Sequence, residues 1–175
     1  MMKRLIIVLA MTFFSAGPSA ASEVIAEQYM PNPVLVGEAR LKFLFWKIYD
    51  AELYAPDGVW SETKPFALTF TYLRKATSEQ ISKRMVKELK GQGFEDMALL
   101  DSWYQTSLQI FPDVDKGTRI TGVRDENGHA QFFLNDEPIG TVEDPFFTDC
   151  FFRIWLGEQT SVPKFRSRLL GKESS

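Results

Sequence analysis

The sequence predicts an α+β domain in which a large antiparallel sheet packs against helices. Residues 41–73 are dense in aromatic and β-branched residues, which favours strands. Two helical patterns follow, and a β-meander comes after them with a strong hairpin turn at Asp125-Glu126-Asn127-Gly128. Because strands and helices are grouped along the chain and do not alternate, we expect an antiparallel sheet covered by helices.

Composition excludes several classes of protein. The chain has 175 residues, of which 45% are hydrophobic and 25% charged, and this is typical of one globular domain. A formal charge of −3 without a basic stripe argues against nucleic-acid binding. One Cys and one His exclude a disulfide framework and a Cys/His zinc site, and we expect no metal or cofactor. Cys150 lies in the run FFTDCFF and is predicted to be a buried apolar residue.

The first 21 residues have the three parts of a secretory signal. Met1–Arg4 is basic, Leu5–Phe14 is apolar, and Ser15–Ala21 is rich in small residues. The apolar run is too short to cross a bilayer core of about 30 Å as a helix. We therefore expect cleavage after Ala21, a single domain over residues 22–175, a periplasmic location and no stable membrane insertion. An uncleaved anchor is the alternative.

The first half of the remaining chain predicts strands and then a helix. Residues 26–37 contain two prolines and predict an irregular lead-in with an edge strand. Residues 41–54 predict one long strand with a bulge near Phe45-Trp46. Residues 65–73 alternate cleanly and predict a half-buried strand. Thr77 and Gln80 form a capping-box pattern that opens a helix closed by Gly91.

The second half predicts helices around the meander. Turn residues and apolar spacing divide this part of the chain into six elements. They are a helix over 95–111, strands over 118–123, 131–134 and 138–142, a helix from Asp144-Pro145 to Gly157, and a short helix over 162–170.

Most residues whose side chains could catalyse a reaction or bind a ligand have an ordinary structural explanation. His129 follows a hairpin turn and is expected to be exposed, without a catalytic role. The segment from Asp113 to Asp115 lacks the later ligands of a calcium loop and predicts a plain turn. Lys164, Arg166, Arg168 and Lys172 predict a solvated basic helix face. Residues 146–155 could line a pocket, but aromatic residues at helical spacing favour a core.

Arg40 and Tyr49 are the candidate ligand-binding residues. An Arg at the edge of an apolar cavity can hold a carboxylate through two charge-assisted hydrogen bonds, and a Tyr hydroxyl beside it would complete the site. The two residues are nine positions apart, so a regular strand places them on opposite faces. A bulge near Trp46 would bring them to one face. The alternative is an exposed Arg and a core Tyr.

Three stretches of the sequence resemble a known family. They are Gly37-Glu-Ala-Arg40 leading into KIYDAELY, the segment PFALTFTYLRKATSEQISKRMVKEL, and IWLG with the later RLLG. Together they resemble the exported bacterial branch of the chalcone isomerase-like family, from about residue 30 to residue 172. The resemblance implies an open-faced β-sandwich, in which a large antiparallel sheet is backed by helices.

The resemblance also implies which positions matter. Plant chalcone isomerases use an Arg before the first long strand, a Thr within that strand, and a Tyr and an Asn on the following helix. Arg40 resembles the family Arg, and Tyr49 falls at the Thr position. Ile81 and Glu88 fall where the isomerases have Tyr and Asn. An Ile cannot donate a hydrogen bond to an enone oxygen, whereas fatty-acid-binding members pair the Arg with a strand Tyr, as Arg40 and Tyr49 would.

Three functional classes stay open at this point. The first is an exported, non-catalytic binder of a small apolar carboxylate such as a fatty acid. The second is an isomerase or intramolecular lyase with rearranged catalytic groups, for which Glu88 with Tyr72 or Thr69 would be a second polar pair. The third is a protein-interaction scaffold whose partner the sequence does not identify, because fold does not fix function.

Overall fold

The computed structural model describes residues 18–172, which form one six-stranded antiparallel sheet and helices that pack on it. The strands lie side by side in chain order. This arrangement confirms the predicted α+β class. The strands are β1 (Pro33–Phe43), β2 (Trp46–Pro56), β3 (Phe66–Tyr72), β4 (Arg119–Arg124), β5 (Ala130–Leu134) and β6 (Glu137–Val142). The helices are α1 (Pro18–Glu27), α2 (Ser78–Gly91), α3 (Met97–Ile110), α4 (Pro145–Leu156) and α5 (Pro163–Leu169).

The local signals that predicted helix ends and turns are confirmed. The Thr77 hydroxyl accepts a hydrogen bond from the Gln80 amide, and the Gln80 side chain accepts one from the Thr77 amide, which completes the capping box of α2. Asp144 caps α4 by accepting a hydrogen bond from the Phe146 amide. The turn between β4 and β5 has Gly128 at a φ of 80°, as the Asn-Gly sequence predicts.

The predicted single strand over residues 41–54 is wrong. The chain forms a hairpin here, in which Phe43 of β1 pairs with Trp46 of β2 across a two-residue turn, Leu44-Phe45. The turn escapes sequence analysis because Leu44 adopts a φ of 53°, a conformation that turns usually assign to Gly or Asn. Helix α1, which the sequence did not predict, precedes the hairpin. Strand β1 lies at the edge of the sheet, as expected.

The two faces of the sheet are covered differently. One face is covered by α2, α4 and α5 and contains most of the core. On the other face α1 packs Ile25 and Ala26 against Tyr54, Ala67 and Val123. Residues 1–17, the larger part of the expected signal segment, lie outside the described residues, whereas Ile25 and Ala26 come after the expected cleavage site. No helix within residues 18–172 is long and apolar enough to cross a membrane.

Helix α5 closes the domain against the edge strand β1. Gly37 lies so close to the end of α5 that a Cβ atom there would be 2.2 Å from the Arg168 carbonyl oxygen and 2.7 Å from that of Leu169. Gly171, just after α5, has a φ of 65° and lies against the Val36 carbonyl. The two glycines therefore let the beginning and the end of the domain make backbone contact.

We expect Gly37→Ala to destabilise the fold by roughly 1–3 kcal/mol or more, because the added methyl group overlaps backbone atoms that cannot rotate away. Gly91→Ala is the matched control, since a Cβ at this helix position has no neighbour within 4 Å. That control should be neutral or stabilising by up to about 1 kcal/mol. Urea unfolding measures both. Equal stability of the two variants would contradict the close contact between β1 and α5.

Candidate functional site

A cavity of about 80 Å³ lies between the helical face of the sheet and helices α2 and α4. Its walls are mainly aromatic and aliphatic side chains, among them Phe70, Phe132 and Phe151. Gly122 lies at the sheet wall, where a Cβ would be 3.1 Å from the Phe152 ring. In addition to the Trp155 indole, five side chains in the lining carry polar groups: Tyr49, Tyr72, Arg84, Glu88 and Ser161.

Tyr49 is a half-buried phenol fixed by its aromatic neighbours. Its ring centroid lies 5.1 Å from that of Phe70 and 5.9 Å from that of Phe165, both edge-to-face. The Trp155 indole Nε1 donates a hydrogen bond of 2.8 Å to the Tyr49 hydroxyl oxygen. Burial raises the pKa of Tyr49 well above its ordinary value, and the Trp155 hydrogen bond offsets part of this shift. Tyr49 therefore keeps its proton and is a hydrogen-bond donor.

Tyr72, at the end of β3, is a second phenol in the same lining. It pairs with Tyr49 across the β2–β3 ladder, and the two ring centroids are 5.8 Å apart. The Tyr72 hydroxyl has no hydrogen-bond partner among residues 18–172, and burial raises its pKa well above the ordinary value. Two protonated phenols thus lie together in a mainly apolar cavity, and one of them has no internal partner within the described chain.

A charged pair on α2 forms another part of the lining. The Arg84 guanidinium lies 2.6 Å from Glu88 Oε1, one helical turn further on. The Ser161 hydroxyl donates a 2.6 Å hydrogen bond to Glu88 Oε2. The Glu88 side chain is only 8% exposed, whereas that of Arg84 is 54% exposed. Both carboxylate oxygens of Glu88 are therefore engaged, while Arg84 also reaches solvent.

Arg40 does not lie in this cavity. It pairs with Asp50 across the β1–β2 ladder, and the next pair is Leu41 with Tyr49. Consecutive pairs point to opposite faces of a sheet, so Arg40 and Tyr49 face away from each other. The Arg40 Nη2 atom lies 2.8 Å from Asp50 Oδ2, and Nε contacts the other oxygen of that carboxylate. The structure does not bring the two candidate residues together, and ligand binding by either stays a prediction.

The α2 positions taken from the family resemblance do face the cavity. Ile81 and Glu88 both line it, together with Arg84 and Met85. Arg84 and Ser161 were not among the residues predicted from the sequence. The spacing of residues 81, 84, 85 and 88 is that of one helical face, so Arg84 could have been found by following the face that carries Ile81 and Glu88. No comparable sequence signal marks Ser161, because it lies in the loop between α4 and α5.

The other residues considered in the sequence, His129, Asp113 and Thr69, contact neighbouring protein groups outside the cavity lining. His129 was expected to be exposed, but it is half-buried. Its Nδ1 atom lies 3.9 Å from Asp125 Oδ2. Asp113 accepts a hydrogen bond from the Ser78 amide at the start of α2. Thr69 bonds Thr121 at 2.9 Å. Thr69 lies on the face of the sheet away from the cavity, as the alternation with Phe70 requires.

Helix α4 contributes to both the core and the cavity. Cys150 is 2% exposed, which confirms that it is a buried apolar residue, and burial raises the pKa of its thiol to about 11. Phe147 is fully buried in the core, while Phe151 and Trp155 also line the cavity. Within residues 18–172 no group of three His, Cys, Asp or Glu side chains is placed to hold a metal ion.

Comparison with known families identifies the fold. The chalcone isomerase-like family matches residues 34–171, well over half of the chain. The chain belongs to this family. Comparison with curated protein sequences gives no match. The solved structures that it resembles include a fatty-acid binding protein of Arabidopsis thaliana, with a TM-score of 0.61 and 13% sequence identity.

The match to the plant protein covers 81% of this chain and 88% of that one. At this identity the likeness establishes the fold alone. The chalcone isomerase-like architecture is thus confirmed from two sides, by the family match and by the course of the backbone. Fatty-acid binding is a property of the plant protein. Because fold does not fix function, a function for this chalcone isomerase-like chain has to be inferred from its own cavity residues.

Proposed function

We propose that this protein is an exported, non-catalytic binder of a small apolar molecule with an oxygen-bearing head group, such as a fatty-acid-like carboxylate. One observation carries the proposal: Tyr49 and Tyr72 are neighbouring phenol donors in an apolar cavity, and Tyr72 has no hydrogen-bond partner among residues 18–172. The Tyr72 side chain is half-buried, so its hydroxyl can donate a hydrogen bond to a ligand oxygen that enters the cavity. The fatty-acid binding protein of the same fold supports the assignment.

Arg84 is the cation that we propose for a carboxylate head group. It lines the cavity, whereas Arg40 is held by Asp50 on the opposite face of the sheet. Arg84 has donors left over after its contact with Glu88, because a guanidinium carries five N–H groups. Glu88 cancels part of the Arg84 charge, and the Ser161 hydroxyl donates a hydrogen bond to the other Glu88 oxygen. A carboxylate can therefore approach Arg84 without meeting an unpaired Glu88 oxygen.

The size of the cavity limits the ligand. A volume of 80 Å³ is well below the roughly 300–1,000 Å³ of pockets that hold drug-sized molecules. It accommodates a few carbon atoms, so a longer acyl chain requires side chains in the lining to move. A short-chain ligand therefore fits the cavity as it stands, and an eight-carbon chain binds in it only when side chains of the lining move.

Titration with octanoic acid and with octanol tests the anchors. We expect Tyr72→Phe and Tyr49→Phe to weaken binding of both ligands by about 0.5–1.5 kcal/mol, or roughly 2- to 12-fold, because each removes one hydrogen bond. Arg84→Ala should weaken octanoate by about tenfold or more and leave octanol nearly unchanged, since only the acid is charged. Isothermal titration calorimetry gives the affinities, and circular dichroism checks the fold.

Arg40→Ala is the matched control for Arg84→Ala, and it should bind both ligands as the wild type does. A loss of octanoate affinity in Arg40→Ala with none in Arg84→Ala would return the head-group role to Arg40. If the wild type binds neither ligand, and native mass spectrometry of the purified protein finds no co-purifying small molecule, the binding function itself is contradicted.

An isomerase is the second candidate, because Tyr72 and Glu88 lie in one cavity as a polar pair. Two features oppose cyclisation of a chalcone. By the family resemblance Ile81 falls at the position of the isomerase Tyr and has no hydroxyl. Glu88 falls at the position of the Asn, and its two oxygens accept from Arg84 and Ser161 and do not donate. The donors that would stabilise the developing oxyanion are therefore reduced in number.

We expect no cyclisation of a hydroxychalcone above the uncatalysed rate, because the transition state lacks its donors and the cavity is smaller than the substrate. The absorbance of the chalcone, followed with and without protein, measures this. Boiled protein serves as the control. A turnover of about one per second would establish an enzyme and contradict the non-catalytic proposal.

Export is part of the proposal and rests on the order of residues 1–21. We expect the mature chain to begin within residues 21–23 and to accumulate in the periplasm. The intact mass of the protein from a periplasmic extract measures this. A chain that keeps Leu5–Phe14 and sediments with membranes would show that the segment is an uncleaved anchor.

A further inference from the structure

The tip of the β1–β2 hairpin exposes four consecutive large apolar side chains. Phe43 is 63% exposed, Leu44 75%, Phe45 96% and Trp46 59%. Scattered apolar residues are ordinary on a protein surface, but a contiguous group of this size marks an interaction site. We call Phe43–Trp46 the apolar tip.

Basic residues surround the apolar tip. Lys42 and Lys47 flank it, are exposed, and pair directly across the two strands. Like charges at such a position repel each other, so the pair disfavours the hairpin unless an anion neutralises it. The Arg74 guanidinium lies 5.0 Å from the centroid of the Trp46 ring, and Lys75 beside it is also exposed. These four cations contrast with the formal charge of −3 of the whole chain.

The backbone of the tip also favours a functional explanation. Leu44 has a φ of 53°, where a branched apolar side chain is strained and Gly or Asn is favoured. The two-residue loop thus carries large apolar residues against the preference of its own conformation. Folding does not require them, because Leu44 and Phe45 bury little of their surface.

From this geometry we propose that the apolar tip docks the protein on an anionic lipid bilayer. The four apolar side chains enter the interface between head groups and acyl chains, where Trp is favoured, while Lys42, Lys47, Arg74 and Lys75 contact anionic head groups. This is peripheral attachment, not a membrane span. It goes beyond the proposed ligand binding and does not depend on it.

Docking of this kind would place the cavity near the bilayer. Leu41 and Tyr49 line the cavity and form one rung of the β1–β2 ladder. The next rungs are Lys42 with Lys47 and Phe43 with Trp46, which is the beginning of the apolar tip. A protein docked by this tip therefore holds the Tyr49 end of β2 close to the lipid.

Vesicle binding tests the proposal on the protein that begins after the expected cleavage site. The probes are vesicles of phosphatidylcholine alone and vesicles of equal parts phosphatidylcholine and phosphatidylglycerol. We expect sedimentation with the mixed vesicles, a blue shift of tryptophan fluorescence as Trp46 leaves water, and weaker binding at high salt. The salt effect follows from a Debye length that falls from about 10 Å at 0.1 M to about 3 Å at 1 M.

The double variant Leu44→Asn/Phe45→Ser should lower the partition coefficient at least about tenfold, because it removes two large apolar side chains from the lipid contact. Its stability should be maintained, since Asn relieves the conformation of residue 44. Val59→Ser is the matched control: Val59 is 69% exposed but follows the opposite end of β2. It should bind vesicles as the wild type does.

Three outcomes would overturn the proposal. The wild type binds neither kind of vesicle, the double variant binds as well as the wild type, or Val59→Ser loses binding to the same extent. Size-exclusion chromatography adds an alternative occupant of the tip. A wild-type dimer that the double variant converts to a monomer, without vesicle binding, would assign the apolar tip to a second copy of this chain.

Discussion

The packing of α4 on the sheet is the interaction on which the rest of the structure depends. The Phe152 ring lies 4.7 Å from that of Phe66, and the Trp155 ring 4.6 Å from that of Phe70, measured between centroids. Such pairs contribute about 0.5–1.5 kcal/mol each beyond their buried area. The same helix carries the indole that donates to Tyr49 and the Phe151 ring that lines the cavity. Core and site are therefore two parts of one aromatic layer, and a change in α4 affects both.

The elements that could be predicted from the sequence are those whose signals are local. The Thr77–Gln80 capping box and the Asn127-Gly128 turn each need only a few neighbouring residues, so their chemistry is visible in the chain. The Leu44-Phe45 turn was missed because its residues are those of a strand. Helix α1 was missed because its start overlaps the expected signal segment, and its contacts with Tyr54 and Val123 are far away in sequence.

The candidate site was predicted in part. Tyr49, Ile81 and Glu88 line the cavity. They could be predicted because the family pattern and helical spacing mark their positions. Arg40 does not line the cavity. Its face relative to Tyr49 depends on how β1 pairs with β2, and this pairing could not be predicted because the turn between the two strands was not recognised. Ser161 depends on the path of a loop, which the pattern of the sequence does not specify.

The register of the β1–β2 hairpin connects the cavity with the apolar tip. The two-residue turn places Lys42 opposite Lys47, and a register shift at Ile48 follows it. Beyond that shift Tyr49 faces the aromatic layer, and Arg40 pairs with Asp50 on the other face. A slip of one residue would exchange the faces of a whole strand, because side chains alternate with a period of two. It would also shorten or lengthen the loop that carries Leu44 and Phe45. The turn that strains Leu44 therefore acts together with the register shift at Ile48 to direct Tyr49 into the cavity.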